Sequence, residues 1–389
     1  MLRFHTAGES HGQGLISLVQ GLPAGLEVNL EFLNHQLARR QGGYGRGGRM
    51  KIETDSAEIL AGVRRGVTIG APIAVLIRNK DWENWKDILP VEPRPEDGEM
   101  REVTAPRPGH ADLAGCLKFD LHDARYILER ASARESAARV AAGAIAKMLL
   151  AHFGIEVWSH VVAVGAAKLT RPVTWDEIKA AALQADPVLR CADEECEAAM
   201  KAEVDQALRT GDTVGGVFEV VARGAPPGLG THANWDERLD GLLAQAVMSL
   251  QAVKAVEIGS GLENAVSPGS LVQDTIAYDR VRQGFTRPQN RAGGIEGGIS
   301  NGQEIVVRGY LKPISTLRRP LESADLVTKE TVKAAYERSD VCVVPAGGVA
   351  GEAMVALVLA RCFLEKFGGD SIQEIERNFN GYLKQLREF

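Results

Sequence analysis

The 389-residue chain lacks the features that would place it in a membrane, in a secretory route or on nucleic acid. Residues 1–5 carry no apolar core of a signal peptide, and no window reaches the ~18 apolar residues of a membrane span. The formal net charge is −6, whereas nucleic-acid binders usually show a basic balance over the whole domain. We therefore expect a cytoplasmic protein with neither a membrane nor a nucleic-acid partner.

The chain also lacks the cysteine pairs typical of metal or redox sites, and it lacks the common nucleotide-binding motifs. The five cysteines form no CxxC pair, and Cys191 and Cys196 bracket an acidic stretch without a nearby histidine. We expect reduced, structural thiols and no metal site. The glycine-rich stretch 293–298 is not a P-loop, because no Gly-Lys-Ser/Thr follows it. No GxGxxG lies between a strand and a helix, so a Rossmann domain has no support.

Glycine is the residue that is present in excess. The chain has 42 glycines, about 11% of its residues against a usual ~7%, and they cluster at 42–48, 293–298 and 347–351. Clustered glycine indicates positive φ or a backbone that approaches another group closely. The first cluster belongs to the loop 39–49, which also holds four arginines. Such a loop can close over an anionic ligand.

Titratable side chains concentrate in three places. His11 lies in the glycine-rich turn 8–12, and His110 lies in the loop 104–112, which two prolines and a glycine stiffen. Histidine can act as a general acid or base, although a histidine in a turn is also commonly a surface residue. Asp340 follows Arg338 and precedes a predicted apolar strand at 341–344. This carboxylate should pair with its arginine or have a shifted pKa.

Arginine and hydroxyl side chains stand beside these clusters. Arg130, Ser132 and Arg134 occupy the predicted start of a helix. Ser132 and Glu135 there match a capping box. A helix N-terminus attracts anions, and arginine adds bidentate contacts to phosphate or carboxylate. Residues 312–316 offer further donors at the end of a predicted strand. The pattern favours a site for a polyanionic small molecule, with a capped helix and solvated arginines as the alternative.

Short β-branched segments alternate with helical ones. Strands are predicted at 15–19, 73–77, 157–164, 217–221 and 304–311. A buried helix is predicted at 353–367. A strand, a Gly-Pro turn and a helix occur twice, at 14–40 and 216–250, and each half ends in a long apolar helix. We predict one catalytic domain with duplicated halves at roughly 1–155 and 210–389, and a peripheral helical insertion at 169–210. The alternative is that this strand–turn–helix pattern is generic.

Three segments resemble the signatures of the chorismate synthase family, and the similarity runs through nearly the whole chain. These segments are residues 8–23, 129–136 and 338–352. The resemblance implies an α+β fold, a β-α-β sandwich in which a helical layer lies between two antiparallel sheets, with a pseudo-twofold internal duplication. It also implies a homotetramer. The least family-like parts are 92–99 and 169–210.

The same resemblance implies the reaction. The chain would be a carbon–oxygen lyase of the shikimate pathway that acts on 5-enolpyruvylshikimate 3-phosphate. It would remove phosphate and a ring proton by 1,4-elimination to give chorismate, and it would require reduced FMN without net redox change. NADPH is left open as an external or intrinsic reductant.

Roles for individual residues also come from the resemblance. His110 would protonate the departing phosphate, His11 would handle the proton on the reduced flavin, and Asp340 would assist the flavin N5 as base partner. The residues expected to bind the substrate are Ser10, Arg40, Arg46, Arg49, Arg107 and Arg134. The positions expected to contact the flavin are Arg130, Ala131, Ser132, Gln251, Ala252, Gly297, Lys312, Pro313, Ile314, Ser315, Thr316 and Arg338.

Two other functions stay open at this point. An RNA-binding or scaffold protein could use the loop 39–49, but the net charge of −6 counts against it. A phosphosugar enzyme without flavin would use the same anion-binding residues. That function would not explain the spacing of the third cluster, which is Arg338 to Asp340 and the apolar segment after it.

Overall fold

The structure is a computed structural model that describes residues 1–47, 54–93, 102–281, 284–337 and 340–389. The strands are β1 Arg3–Ala7, β2 Gly14–Gln20, β3 Ala57–Ala61, β4 Val63–Arg64, β5 Val67–Thr68, β6 Ile73–Arg78, β7 Glu156–Val164, β8 Ala167–Lys168, β9 Gly216–Arg223, β10 Val253–Ile258, β11 Ala277–Asp279, β12 Gly284–Thr286, β13 Ile295–Glu296, β14 Ile299–Ser300, β15 Ile305–Leu311, β16 Glu322–Ala324 and β17 Thr331–Lys333. The helices are α1 Leu30–Gln41, α2 Asp112–Phe119, α3 Arg125–Ala131, α4 Ser136–His152, α5 Trp175–Ala182, α6 Glu194–Thr210, α7 Leu239–Met248, α8 Gly261–Asn264, α9 Gly269–Val272, α10 Val344–Phe367 and α11 Ile372–Glu388. Short 3-10 helices lie at Lys80–Asn84, Ala133–Glu135 and Trp235–Glu237.

Two antiparallel sheets contain the longer strands. The first has the order β1-β2-β6-β3 and the second the order β10-β15-β9-β7-β8. Ser17 faces Val75 in the first sheet, and Val220 faces Val307 in the second. The five strands predicted from the β-branched segments all lie in these sheets. Together with the helices they make an α+β fold.

Helices pack between the two sheets. Helix α4 contacts β1, β2 and β6, helix α10 contacts β7, β9 and β15, and α4 and α10 contact each other. Helix α1 contacts both, and α7 packs on α10 and β10. Small residues permit the close α4–α10 approach, since a Cβ added to Gly143 would lie 2.4 Å from the Cα of Ala353. The buried apolar side chains of both sheets and these helices form one continuous core.

Helix α10 is largely buried, as predicted for 353–367, but it begins earlier, at Val344. The strand predicted at 341–344 is therefore wrong. Pro345 in the first helical turn explains the difference, because proline is favoured there and lacks only an N–H that has no helical partner. By length and composition this helix alone, among the described residues, could cross a membrane, but 83% of its most apolar window is buried in the fold.

The two halves of the chain follow the same path through their sheets. The order β1-β2-β6-β3 in the first half corresponds to β7-β9-β15-β10 in the second. The Thr68 hydroxyl donates to the Pro23 carbonyl at 2.6 Å and accepts at 2.9 Å from the N–H three residues beyond that proline. The Ser300 hydroxyl does the same at Pro226, with distances of 2.6 and 2.8 Å. Topology and turn chemistry are thus repeated.

The segment 169–210 is helical, as predicted, and it is not isolated from the core. Helix α5 packs on the second sheet, where Trp175 shares an apolar cluster with Trp158. Arg190, in the linker to α6, donates to the carbonyl of Arg39 at 2.9 Å. The hydroxyl of Tyr44 donates to Asp205 in α6 at 2.8 Å. The segment therefore braces the loop that carries the predicted substrate-binding arginines.

Candidate functional site

The turn between β1 and β2 places His11 against helix α3. The Nδ1 atom lies 2.8 Å from Oε1 of Glu129, and the backbone N–H of His11 donates to Oε2 of the same carboxylate at 2.8 Å. The imidazole stacks on the indole of Trp85, with ring centroids 3.9 Å apart. Burial opposes ionisation of Glu129, but the hydrogen bonds from His11 outweigh it, so the pKa of this carboxyl is below its usual value. His11 is a buried, firmly held histidine.

Two buried arginines meet around one carboxylate behind this turn. Arg134 Nη1 lies 2.5 Å from Oδ1 of Asp55, and Arg40 Nη2 lies 2.9 Å from Oδ2. Asn79 accepts from Nε and Nη2 of Arg134 and donates to the carbonyl of Gly12 at 2.7 Å, which ties the arginines to the His11 turn. Burial lowers the pKa of Arg40 to about 10, so this guanidinium stays charged near neutral pH. Two cations share one anion, which suits a further negative group.

The arginine–glycine loop 39–49 is joined to Asp340 by an ion pair that the sequence did not predict. Arg46 Nη1 lies 2.8 Å from Oδ2 of Asp340, and the N–H of Gly47 donates to Oδ1 at 2.6 Å. Arg338, the predicted partner of Asp340, lies outside the described residues, as does Arg49. Asp340 is thereby joined to a loop from the opposite half of the chain.

Asp112, a buried aspartate at the start of α2, holds His110 in place. His110 Nδ1 is hydrogen-bonded to Oδ1 of Asp112, and Arg107 Nε lies 2.8 Å from Oδ2. Arg107 also donates to the hydroxyl of Thr316 at 3.2 Å, and Lys312 donates to the carbonyl just before His110. Burial opposes ionisation of Asp112, but these hydrogen bonds outweigh it and hold its pKa well below the usual range. The structure therefore brings Arg107 and His110 to the segment after β15.

The residues around Ser132 lie near the His11 turn, where α3 ends and a short 3-10 helix leads into α4. Arg130 is in the last turn of α3, where it donates to the carbonyl of Thr6 at 2.9 Å, and the Ser132 hydroxyl donates to Ser10 at 3.2 Å. The extended backbone of Ser132, with ψ 141°, separates α3 from the 3-10 helix Ala133–Glu135. The Ser132 hydroxyl caps this 3-10 helix by accepting from the N–H of Arg134 at 3.3 Å, so the predicted N-cap is confirmed, but the contact from Glu135 back to Ser132 that would complete a capping box is not formed. Glu135 instead accepts from Thr6 at 2.6 Å.

The remaining predicted flavin positions divide into two groups. Gln251 donates to Glu135 at 3.0 Å, and the carbonyl of Ala252 accepts from the N–H of Lys312 at 3.0 Å. These contacts join the start of β10 and the end of β15 to the Ser132 segment. Gly297 lies in the turn between β13 and β14, where its carbonyl accepts from an arginine at 3.3 Å. No hydrogen bond within the described ranges joins Gly297 to either histidine cluster.

Several supporting residues received no role from the sequence. Glu129 and Asp112 stand inside the motifs, but only the folded chain shows that each holds a histidine. Asp55, Asn79 and Trp85 lie in segments without any motif, so no signal in a single sequence could have found them. Among the described residues, no group of three histidine, cysteine or acidic side chains could hold a metal ion.

Comparison with known proteins decides the family. A family model described as chorismate synthase matches residues 2–364. The chain belongs to the chorismate synthase family. It is 66% identical over 389 residues to the chorismate synthase of Solibacter usitatus, with 100% of both chains covered. The chorismate synthase of Moorella thermoacetica is 55% identical over 388 residues, again with 100% of both covered.

A solved structure agrees with this assignment to the chorismate synthase family. A crystal structure of chorismate synthase matches with a TM-score of 0.80 and 41% identity, covering 100% of this chain and 99% of that one. The chain is accordingly an enzyme of the lyase class. Its α+β fold is that of the family.

Proposed function

We propose that the chain forms chorismate by the 1,4-elimination of phosphate and a ring proton from 5-enolpyruvylshikimate 3-phosphate, with reduced FMN required and no net redox change. The observation that carries this proposal is the assembly of two carboxylate-held histidines and a buried group of arginines from motifs far apart in a chain of this family. Those groups match the two needs of the reaction, charge neutralisation and proton transfer.

The buried arginines are suited to the three anionic groups of the substrate. Arg40 and Arg134 share Asp55, and the charge of Arg46 acts on Arg40 from the neighbouring loop. Because these cations are already fixed by hydrogen bonds, they need little reorganisation when an anion arrives. Arg107 forms an ion pair with Asp112, and this pair also orients the loop that carries His110.

Proton transfer at the departing phosphate is assigned to His110. Its Nδ1 side is occupied by the carboxylate of Asp112, which leaves Nε2 to donate a proton to the phosphate oxygen. His11 and Asp340 would serve the flavin side. Arg46 and the N–H of Gly47 hold the Asp340 carboxylate in place, so it is oriented before any ligand binds.

The residues along the end of β15 fit a phosphorylated flavin. Burial and the nearby charge of Lys254 both lower the pKa of Lys312, so an approaching phosphate would relieve that repulsion. Gln251 and Ala252 lie beside this lysine, and Arg130 projects from the adjoining α3. When bound, reduced FMN supplies the electron-rich centre that removal of the ring hydrogen requires. These side chains would bind and orient it.

We also propose that the chain is one catalytic domain with duplicated halves at roughly 1–155 and 210–389. The support is the repeated hydroxyl-closed turn of Thr68 and Ser300 and the repeated strand order, in which β7 (Glu156–Val164) corresponds to β1 although it lies before residue 210. The insertion 169–210, the homotetramer, the cytoplasmic location and the source of reducing power remain predictions.

An anaerobic turnover assay with chemically reduced FMN tests the proposed reaction. Chorismate and phosphate should appear in equal amounts, and omission of FMN should stop both. His110→Ala should lower turnover at least about 100-fold, the usual contribution of general acid–base catalysis, while circular dichroism stays unchanged.

A matched control is His152→Ala, which removes a histidine bound to Glu376 away from the site. Its turnover should equal that of the wild type. Substrate left intact by the wild-type protein with reduced FMN would contradict the proposal, and turnover without FMN would favour a phosphosugar enzyme that lacks flavin.

A further inference from the structure

One carboxylate, that of Glu129, holds both the ring and the main chain of His11. Oε1 lies 2.8 Å from Nδ1, and Oε2 accepts from the backbone N–H at 2.8 Å. Glu129 is 2% exposed and His11 8% exposed. Since both residues are buried, water does not compete for these hydrogen bonds, and the ring edge that carries Nδ1 is fixed to helix α3.

The face of the imidazole is fixed by a second residue. Trp85 stacks on His11 with an interplanar angle of 23°, and its indole N–H donates to Asp81 at 3.0 Å. The guanidinium of Arg125 lies 5.2 Å from the Trp85 ring centroid and 3.5 Å from Glu129. With one edge hydrogen-bonded and one face covered, rotation of the His11 ring would break both contacts.

This geometry determines which ring nitrogen carries the proton. An ionised carboxylate can only accept hydrogen bonds, so Nδ1 must be the donor to Glu129. In the neutral ring the lone pair then lies on Nε2. Among the described residues, the charged groups bonded to this arrangement include Glu129 and Arg125, with Glu337 joined to Arg125 at 3.3 Å and Asp81 joined to the indole.

We infer that Glu129, together with Trp85, is a positioning residue that fixes His11 in the Nδ1–H form and presents Nε2 as its one proton-exchanging atom. Nε2 takes up one proton, the Glu129 carboxylate balances the charge of the imidazolium, and the same proton is later released. No other bond changes. The part of the inference that concerns turnover rests on the proposed function, whereas the ring geometry does not.

The first test needs neither substrate nor flavin. Histidine labelled with ¹⁵N reports the tautomer of each ring by NMR, and the spectrum of His11→Gln identifies the His11 signals among those of the eight histidines. The wild-type ring should be in the Nδ1–H form. In Glu129→Gln the amide can donate as well as accept, so a mixture of tautomers should appear. A wild-type Nε2–H form, or an unchanged tautomer in the variant, would overturn the inference.

The second test is kinetic. Glu129→Gln should lower kcat at least about tenfold and leave the KM for 5-enolpyruvylshikimate 3-phosphate within about threefold, because the ring is misplaced while the substrate-binding arginines remain. An unchanged kcat would overturn the inference.

Trp85→Leu is the second variant, because it frees the ring face without touching the carboxylate. It should lower kcat in the same way, and a wild-type kcat would contradict the role given to Trp85. If the wild-type protein forms no chorismate, the proposed function fails, and the NMR result still decides the role of Glu129.

Glu219→Gln is a matched control within the same chain. Glu219 also holds a buried histidine, with Oε1 3.0 Å from Nε2 of His160, but this pair lies across β7 and β9 of the second sheet. The variant should lose stability while keeping the wild-type kcat. A fall in kcat equal to the one in Glu129→Gln would overturn the inference, because the effect would then be a general loss of stability.

Discussion

At the scale of single residues, the site depends on carboxylates that hold cationic or titratable partners in place. Asp55 is the clearest case, because its two oxygens bind Arg40 and Arg134 from different helices. Burial opposes its ionisation, but the two guanidinium groups outweigh it and lower the pKa of this carboxyl. Asp55 thus neutralises part of the positive charge of Arg40 and Arg134, and the remaining charge is available to attract an anion.

Asp55→Asn should strengthen phosphate binding while weakening the fold without phosphate. Removing one negative charge from a buried pair of cations raises their attraction for an anion, and we expect the Kd for inorganic phosphate to fall about tenfold, which corresponds to ~1.4 kcal/mol. Calorimetric titration measures the Kd, and thermal unfolding with phosphate at constant ionic strength reports the stabilisation.

The matched control for this experiment is Asp193→Asn. Asp193 pairs with the exposed Arg171 at 2.7 Å in the segment 169–210, so its loss should leave the phosphate Kd unchanged. An equal or weaker phosphate affinity in Asp55→Asn would show that the two arginines do not form the anion site.

At the scale of elements, helices α1, α4 and α10 and strand β7 meet at a buried ionic cluster. Glu352 in α10 pairs with Arg39 and Lys147, at 2.7 Å each, and accepts from Ser159 at 2.7 Å. Burial opposes ionisation of Glu352, but the two cations outweigh it and lower its pKa to about 2. Because Arg39 is followed by Arg40, this cluster also fixes the end of α1 that presents a site residue.

Glu352→Gln should destabilise the protein by about 3–5 kcal/mol, the usual effect of removing one partner from a buried ion pair. The pH dependence follows from the lowered pKa. The Glu352 contribution is complete above about pH 4.5, the ordinary value, and is lost as the pH falls toward about 2. Urea unfolding at pH 7 and pH 3 should therefore show a smaller loss on acidification in the variant than in the wild type.

Glu365→Gln on the same helix is the control for this prediction. Glu365 pairs with Arg361 at 2.9 Å near the surface, where ion pairs contribute at most about 1 kcal/mol. An acid sensitivity in Glu352→Gln equal to that of the wild type would contradict the assignment of the pH effect to the buried cluster.

At the scale of the whole molecule, the same hydroxyl-closed turn occurs in both halves of the chain. Equivalent substitutions in the two turns should therefore lower the free energy of unfolding by similar amounts. Thr68→Val and Ser300→Ala each remove a buried hydroxyl that donates to a proline carbonyl and accepts from a backbone N–H. Each should destabilise the protein by about 1–3 kcal/mol, because buried polar groups lose their partners. Chemical denaturation measures both values.

Thr68→Ser is the control, since Ser300 shows that serine can close the equivalent turn. It should retain most of the stability lost in Thr68→Val. The double variant should lose about the sum of the single losses, within ~0.5 kcal/mol, because the two turns share no partner. A large loss in one half and none in the other would count against equivalent turns.

Much of the layered fold could be predicted, and part of the site. Five of the nine described strands in the two sheets, and most of helix α10, follow from the β-branched and apolar segments, and the motifs point to His11, His110 and Asp340. The start of α10 and the extended backbone at Ser132, which separates α3 from the next helix, were not predicted. The apolar pattern used to predict the elements does not indicate where a proline begins a helix or where the backbone becomes extended. The residues that hold the site, Glu129 among them, needed the fold.

The sequence by itself determined the periodicity of the elements, the repeated turn residues and the motifs that indicate the family, since these depend on neighbours along the chain. Only the tertiary structure decided that Asp340 pairs with Arg46, that Glu129 holds His11 and that Asp55 joins two arginines. These contacts join residues that are far apart in the chain. Their physical reason is burial, because charged groups removed from water must find partners wherever the fold brings them.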